Sequence, residues 1–381
     1  MSAAYWRRAM NGEGRTDGIV SLPVPPGAAR PSPAPAFDWI RGVRALHVVL
    51  MGALLVYPWI ASPFFTFQVA GQALVLGLIA LSLTFLAGYG GMVSLAQMTV
   101  AGLAGYAVAI FGTSATTEIS LGWPWWVAGG IAVAIAVVAS TFIGWLSVRT
   151  EGIYTIMITL AIGVAFYYLC EQNYTVLNGH QGFHHVLAPV AFGVAWIDPV
   201  PFYYLALFWA LFWYFAIKYV LRAPFGLALQ GVRDNARRMN SLGFDVTAHR
   251  VAAYALSGLV GGIAGVLLVW YNGLVAPGSV GTGALINILV IAVLGGMRHP
   301  IGPFVGAAVF VLLQNFAIDL LGTEYRERFN LVIGTVFLLI VLFSPDGLLG
   351  LWTRVRGRFR PDRRAGASTR PSPHNNGRSS W

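Results

Sequence analysis

WPWWVAGGIAVAIAVVASTFIGWLSV, residues 123–148, runs for 26 residues without a charged side chain. About 20 apolar residues in a row carry a helix across the hydrocarbon of a bilayer. The same pattern recurs on both sides of this stretch. Ten apolar runs are read, at roughly 45–64, 66–87, 91–112, 123–148, 153–170, 202–221, 250–273, 284–297, 300–320 and 329–345. Two of them, 284–297 and 329–345, are short and fit either tilted packing or broken, re-entrant segments. Of the 381 residues, 57% are hydrophobic and 10% charged, where a soluble domain carries about 25% charged residues. The predicted fold class is all-α and polytopic, with about ten transmembrane helices over 45–345 and no soluble catalytic domain. Residues 1–44, rich in Pro and Arg, read as a disordered tail. Residues 346–381 read as an Arg-rich tail with contact to anionic lipid as one role.

The loop charges order these spans. Of the net charge of +10, the positive part is 23 Arg and one Lys, Lys218. In a soluble protein that excess would suggest nucleic acid. Here the Arg residues sit between apolar runs, which points to membrane orientation and to no nucleic-acid partner. With ten spans, one side collects both tails, Arg149, loop 222–249 and Arg298. The other side collects 113–122, 171–201, 274–283 and 321–328, where acids balance or outnumber Arg. Arg and Lys mark the cytoplasmic side, so both ends are expected there.

Several classes of function are disfavoured. The spans hold almost no ionisable residue, so no proton relay is visible and no acid or His cluster of a membrane enzyme. No metal site and no catalytic residue is predicted. Cys170 stands alone and reads as a packed small hydrophobe. A phosphate-binding loop needs Gly-x-x-x-x-Gly-Lys, and the single Lys lies in Ala216-Ile217-Lys218-Tyr219. If ATP drives the protein, another chain binds it, and this chain carries no cofactor.

Uncharged polar residues are the remaining candidates for a solute path. Ser94 and Gln97 are three apart and are expected to share a helix face; Thr155 and Thr159, four apart, do the same. Asn287 is a further candidate in the eighth run. Interhelical hydrogen bonding is the competing and commoner explanation of such residues. Gly258-x-x-x-Gly262, Gly261-x-x-x-Gly265 and Gly302-x-x-x-Gly306 suit close helix packing. Two Gly-rich segments, 88–97 and 294–303, are either breaks in helices that line a cavity or tight turns between spans.

Loop 222–249 reads RAPFGLALQGVRDNARRMNSLGFDVTAH. Pro224 suits a first helical turn, and Leu227, Leu229, Val232, Ala236 and Met239 recur at roughly helical spacing. Gly243 suits the stop. One short amphipathic helix is predicted, with an apolar face that has no evident place among the spans. It fits the membrane surface or a partner's groove.

Five segments taken together resemble the permease subunits of branched-chain amino acid ABC importers, a group that includes urea and short-amide permeases. They are GYGGMVSLAQ (88–97), RTEGIYTIMITLA (149–161), FGLALQGVRDNARRMNSLGF (225–244), LGGMRHPIGPFVGA (294–307) and LFSPDGLLG (342–350). The resemblance covers roughly residues 70–350. It implies an ABC importer permease fold in a bacterial inner membrane. It implies that Phe225, Gly226, Arg233, Asp234, Asn235, Leu242 and Gly243 belong to a coupling loop that docks on an ATPase subunit. The implied partners are ATPase subunits that carry the ATP, a second homologous permease and an extracytoplasmic substrate-binding protein. Two departures leave the substrate open: Thr175-Val176-Leu177-Asn178-Gly179-His180-Gln181-Gly182 stands where the family often has Thr-Gly-Gly-Ser-Asp-Gly, and Ala96-Gln97 where many have Gly-His. A stand-alone secondary transporter and a membrane-embedded enzyme are the competing readings.

Overall fold

The computed structural model describes residues 45–321 except 117, 151 and 192, with 334–335, 338 and 347–350 beyond them. The expected tail 1–44, most of the tenth span and most of tail 346–381 lie outside the described residues. Residues up to Ala53 and residues from Leu54 form two separate units. In the first, Ala45 onward is helical and begins α1 (Ala45–Ile60).

The helices that follow are α2 (Phe65–Tyr89), α3 (Gln97–Phe111), α4 (Trp125–Ser147), α5 (Ile153–Gln172), α6 (Pro199–Val220), α7 (Pro224–Asp234), α8 (Ala236–Ser241), α9 (Val246–Asn272), α10 (Thr282–Gly295) and α11 (Gly302–Leu321). Five of them, α2, α4, α5, α6 and α9, are long and apolar enough to cross a membrane. A helix therefore stands in each of the first nine apolar runs. The third run corrects the expectation: its helix begins only at Gln97, and residues 91–96 are not helical. At 1.5 Å per residue, α3 and α10 reach only about 20 Å, short of the ~30 Å hydrocarbon layer.

α2 is the central helix. Leu78, Ile79, Ala80 and Leu81 are all fully buried in succession, as a helix apolar on every side requires. α9 crosses α3 and α4 at backbone distance. A Cβ on Gly262 would lie 2.8 Å from Ala136 Cβ, one on Gly258 would overlap Ser140, and one on Gly265 would overlap the Ala101 carbonyl. Gly302 and Gly306 bring α11 equally close to Gly295 on α10. The GxxxG spacings are thus packing faces, where absent side chains let dispersion contacts form between backbones. α5 lies at the rim, with Ile153, Tyr154 and Met157 exposed.

The connections gather at two ends. At one end, Ala115 N–H donates to the His184 carbonyl at 2.9 Å, and Val186 N–H to Gly273 at 3.0 Å. There β1 (Phe183–His184) pairs antiparallel with β4 (Leu274–Val275), while β2 (Val190–Ala191) pairs with β3 (Val194–Ala195). Loops 113–122, 171–201 and 274–283, grouped by the charge pattern, therefore lie together, while residues 322–328 of the fourth loop lie outside the described residues. The segments around Gly88, Gly152, Arg233 and Arg298 meet at the other end.

Candidate functional site

The second end is built around α7. Pro224 opens the helix after an extended Ala223, because a missing N–H costs nothing in the first turn. Gly226 then lets α7 lie on the end of α6: a Cβ there would overlap the Val220 carbonyl and approach Leu221 Cα. Gln230 fastens the contact, its Nε2 donating to the carbonyls of Leu221 and Gly226, each at 3.1 Å. Leu229 and Val232 are buried. The apolar face of loop 222–249 thus has a place against the bundle, contrary to the sequence reading.

The single expected helix is two. Asn235 adopts an extended conformation (φ −159°, ψ 94°), and its side-chain oxygen accepts from Arg238 N–H to start α8. An Asn side chain competes well with the helix ladder in this way. Gly243, at φ +89°, ends the segment as expected. Phe225 stacks on His249 at 5.9 Å. Leu227 and Leu242 remain more than 60% exposed, on a loop that carries Arg222, Arg233, Arg237 and Arg238.

Arg233 faces the bundle. Its Nη1 donates to the Gly88 carbonyl at 2.6 Å, while Nε and Nη2 both donate to Asp234 Oδ1 at 3.0 and 2.9 Å. Tyr89 donates its hydroxyl to the Arg298 carbonyl at 2.9 Å, and a Cβ on Gly88 would overlap the Met297 carbonyl. Three of the segments read from the sequence, 88–97, 225–244 and 294–307, therefore meet in one junction.

The two Gly-rich segments differ in kind. Residues 296–301 are a turn between α10 and α11, with Gly296 at φ +99° and Arg298 and His299 exposed. Segment 91–96 is a true break, since Met92, Ser94, Leu95 and Ala96 are buried without being helical. Three of its N–H groups find partners outside a helix ladder: Met92 N–H reaches Leu86, Leu95 N–H reaches Thr159 Oγ1 on α5 at 3.1 Å, and Ala96 N–H reaches Ser94 Oγ at 3.4 Å. Irregular backbone at membrane depth persists only where protein or a cavity supplies partners.

Beyond the break lies a node of polar side chains. Gln97 Oε1 accepts from Ser82 Oγ and Ser257 Oγ, each at 3.0 Å. Gln97 is 1% exposed, and its Nε2 has no partner among the described residues. Turning the amide over would pair the nitrogen and leave the oxygen alone, so one end is unpaired in either orientation. Ser82 and Ser257 escaped the sequence reading, because small hydroxyls in apolar runs are also ordinary packing residues. Ser94 and Gln97 do not share a helix face, since only Gln97 is helical; both are nonetheless buried. Thr155 and Thr159 do share a buried face, Thr159 Oγ1 donating to the Thr155 carbonyl at 2.9 Å. Asn287 stands apart on an exposed face of α10. A cleft of about 250 Å³, walled by Gly91, Thr155, Arg233, Asn235 and Arg250, reaches the break from the α7 end.

A bundle of long apolar helices with a buried break, a polar node and a docked amphipathic loop is the build of a multi-pass membrane permease. Residues 65–341 match the family described as branched-chain amino acid transport system, permease component, and the chain belongs to that family. It is similar to the high-affinity branched-chain amino acid transport system permease protein LivM of Salmonella typhimurium, 26% identical over 343 residues, covering 83% of this chain and 77% of the relative. The Escherichia coli LivM protein is likewise 26% identical, over 340 residues and the same shares. A probable LivM protein of Methanocaldococcus jannaschii is 24% identical over 243 residues, 58% of this chain and 69% of the relative. No solved structure matches. The membership makes the chain a transporter component and not an enzyme.

Proposed function

We propose that this chain is the membrane-spanning subunit of an ATP-driven importer for branched-chain or related amino acids in a bacterial inner membrane. ATP is bound and hydrolysed by partner ATPase subunits. A second homologous permease completes the path, and an extracytoplasmic binding protein delivers the solute. Ten spans place both ends in the cytoplasm, with the Arg-rich α7 end inside.

One observation carries the coupling role. α7–α8 has its inner face fastened to the bundle, yet it presents Leu227 and Leu242 outward among charged neighbours. Exposed apolar side chains on such a rim suit a protein partner. Phe225, Gly226, Arg233, Asp234, Asn235 and Gly243 shape and hold that surface. Ser94, Gln97, Thr155 and Thr159 are the proposed polar lining near the break. Asn287 would join them only across an interface with a second subunit. The uncharged character of this lining suits a net-neutral solute, because an unpaired buried charge would be costly.

Reconstitution in vesicles tests the reading. The purified chain alone neither hydrolyses ATP nor transports, whereas the full complex takes up the amino acid when ATP is supplied. Uptake by the chain alone on an ion gradient would refute the proposal in favour of a secondary transporter.

A further inference from the structure

The geometry points to Arg233 as a positioning residue that works inward: it carries displacement of α7 to the broken segment between α2 and α3, and is not part of the face that meets the ATPase. This rests on the coupling role proposed for residues 222–249.

The Gly88 carbonyl belongs to the last turn of α2, where carbonyls lack helical partners and carry the negative end of the helix dipole. Arg233 supplies both the missing donor and the matching charge, at 2.6 Å. Asp234 Oδ1 accepts from the other two nitrogens, Nε and Nη2, so the guanidinium bridges the end of α7 and the end of α2. Its aliphatic stem lies on Gly91, at φ +70°, where a Cβ would come within 2.7 Å of Arg233 Cγ. The Arg233 side chain therefore packs directly on the backbone just past the end of α2.

From Gly91 the chain runs through the non-helical segment to Leu95, whose N–H is held by Thr159 of α5, and then to Gln97. Segment 91–96 has no helix ladder of its own, so it can shift without breaking a run of helical hydrogen bonds. A push on α7 reaches it through Arg233, while Leu227 and Leu242 remain free to receive that push from outside. Lys would keep a charge near Gly88 but lose the fork that grips Asp234 and Gly88 together.

The test uses the full complex and the isolated chain, with Arg233→Ala and Arg233→Lys. In the complex, three quantities are read: ATPase subunits retained on purification, ATP hydrolysis stimulated by loaded binding protein, and uptake. In the isolated chain in nanodiscs, amide exchange over 86–97 is read. Arg233→Ala is expected to retain the ATPase yet lose stimulated hydrolysis and uptake by about tenfold. Its amides at 91–97 exchange about tenfold faster, the size of one lost charge-assisted hydrogen bond. Arg233→Lys retains the ATPase and falls between Ala and wild type in stimulated hydrolysis, uptake and exchange. Loss of the ATPase subunits with unchanged exchange would make Arg233 a docking contact and overturn the inference, as would unchanged uptake. Failure of the wild-type chain to bind an ATPase would instead remove the coupling role, and the exchange measurement would still judge the tie.

Discussion

Gln97→Met separates stability from function at the polar node. Met nearly matches Gln in shape, so little cavity forms. Two interhelical hydrogen bonds disappear, worth roughly 0.6 kcal/mol each on average in a membrane protein. Both serine donors keep an alternative: Ser82 Oγ reaches the Ile79 carbonyl at 2.6 Å, and Ser257 Oγ reaches the Ser82 carbonyl at 3.0 Å. No new group is orphaned. The unpaired end of the buried amide disappears as well, removing a penalty of about 1–3 kcal/mol. The balance is therefore neutral to about 2 kcal/mol stabilising. Thermal unfolding in detergent should show an unchanged or higher midpoint, while ATP-driven uptake falls if the amide meets the solute. A variant destabilised by more than about 2 kcal/mol would refute the reasoning, because the amide would then have a partner beyond Ser82 and Ser257.

Gly265→Val should lower stability by about 3 kcal/mol by forcing α9 off the Ala101 carbonyl. Gly129→Ala, which has open space around it, should be neutral; unfolding midpoints compare the two. Gly226→Ala should displace α7 from the end of α6 and reduce coupled uptake severalfold at normal expression, as measured in the reconstituted complex. For sidedness, an impermeant thiol reagent applied outside should label Glu118→Cys and spare Arg233→Cys. The buried Cys170 stays silent, and the reverse pattern would invert the proposed orientation.

The helices themselves were legible in the sequence because burial in lipid is a one-dimensional property: length and apolarity suffice, and Arg placement sorts the loops. Hence the runs near 66–87, 123–148 and 250–273 coincide with α2, α4 and α9. The motif at 225–244 likewise announced a helix through Pro224 and its apolar spacing. The third run misled, since GMVSLA (91–96) is as apolar as a helix but begins with Gly91 directly after Gly90, and hydropathy does not register an unwound backbone. That Asn235 would split α7 from α8 was equally hidden, because an Asn is helical or capping according to its neighbours. Only the tertiary structure decided which polar groups meet. Ser82 and Gln97 lie 15 residues apart and Ser257 lies 160 beyond Gln97, and they come together because α2, α3 and α9 cross there. Arg233 reads as one more topology charge until the fold sets it on the Gly88 carbonyl. Pairings across 145 or 160 residues depend on the relative placement of whole helices, and a local pattern of residue types carries no record of that.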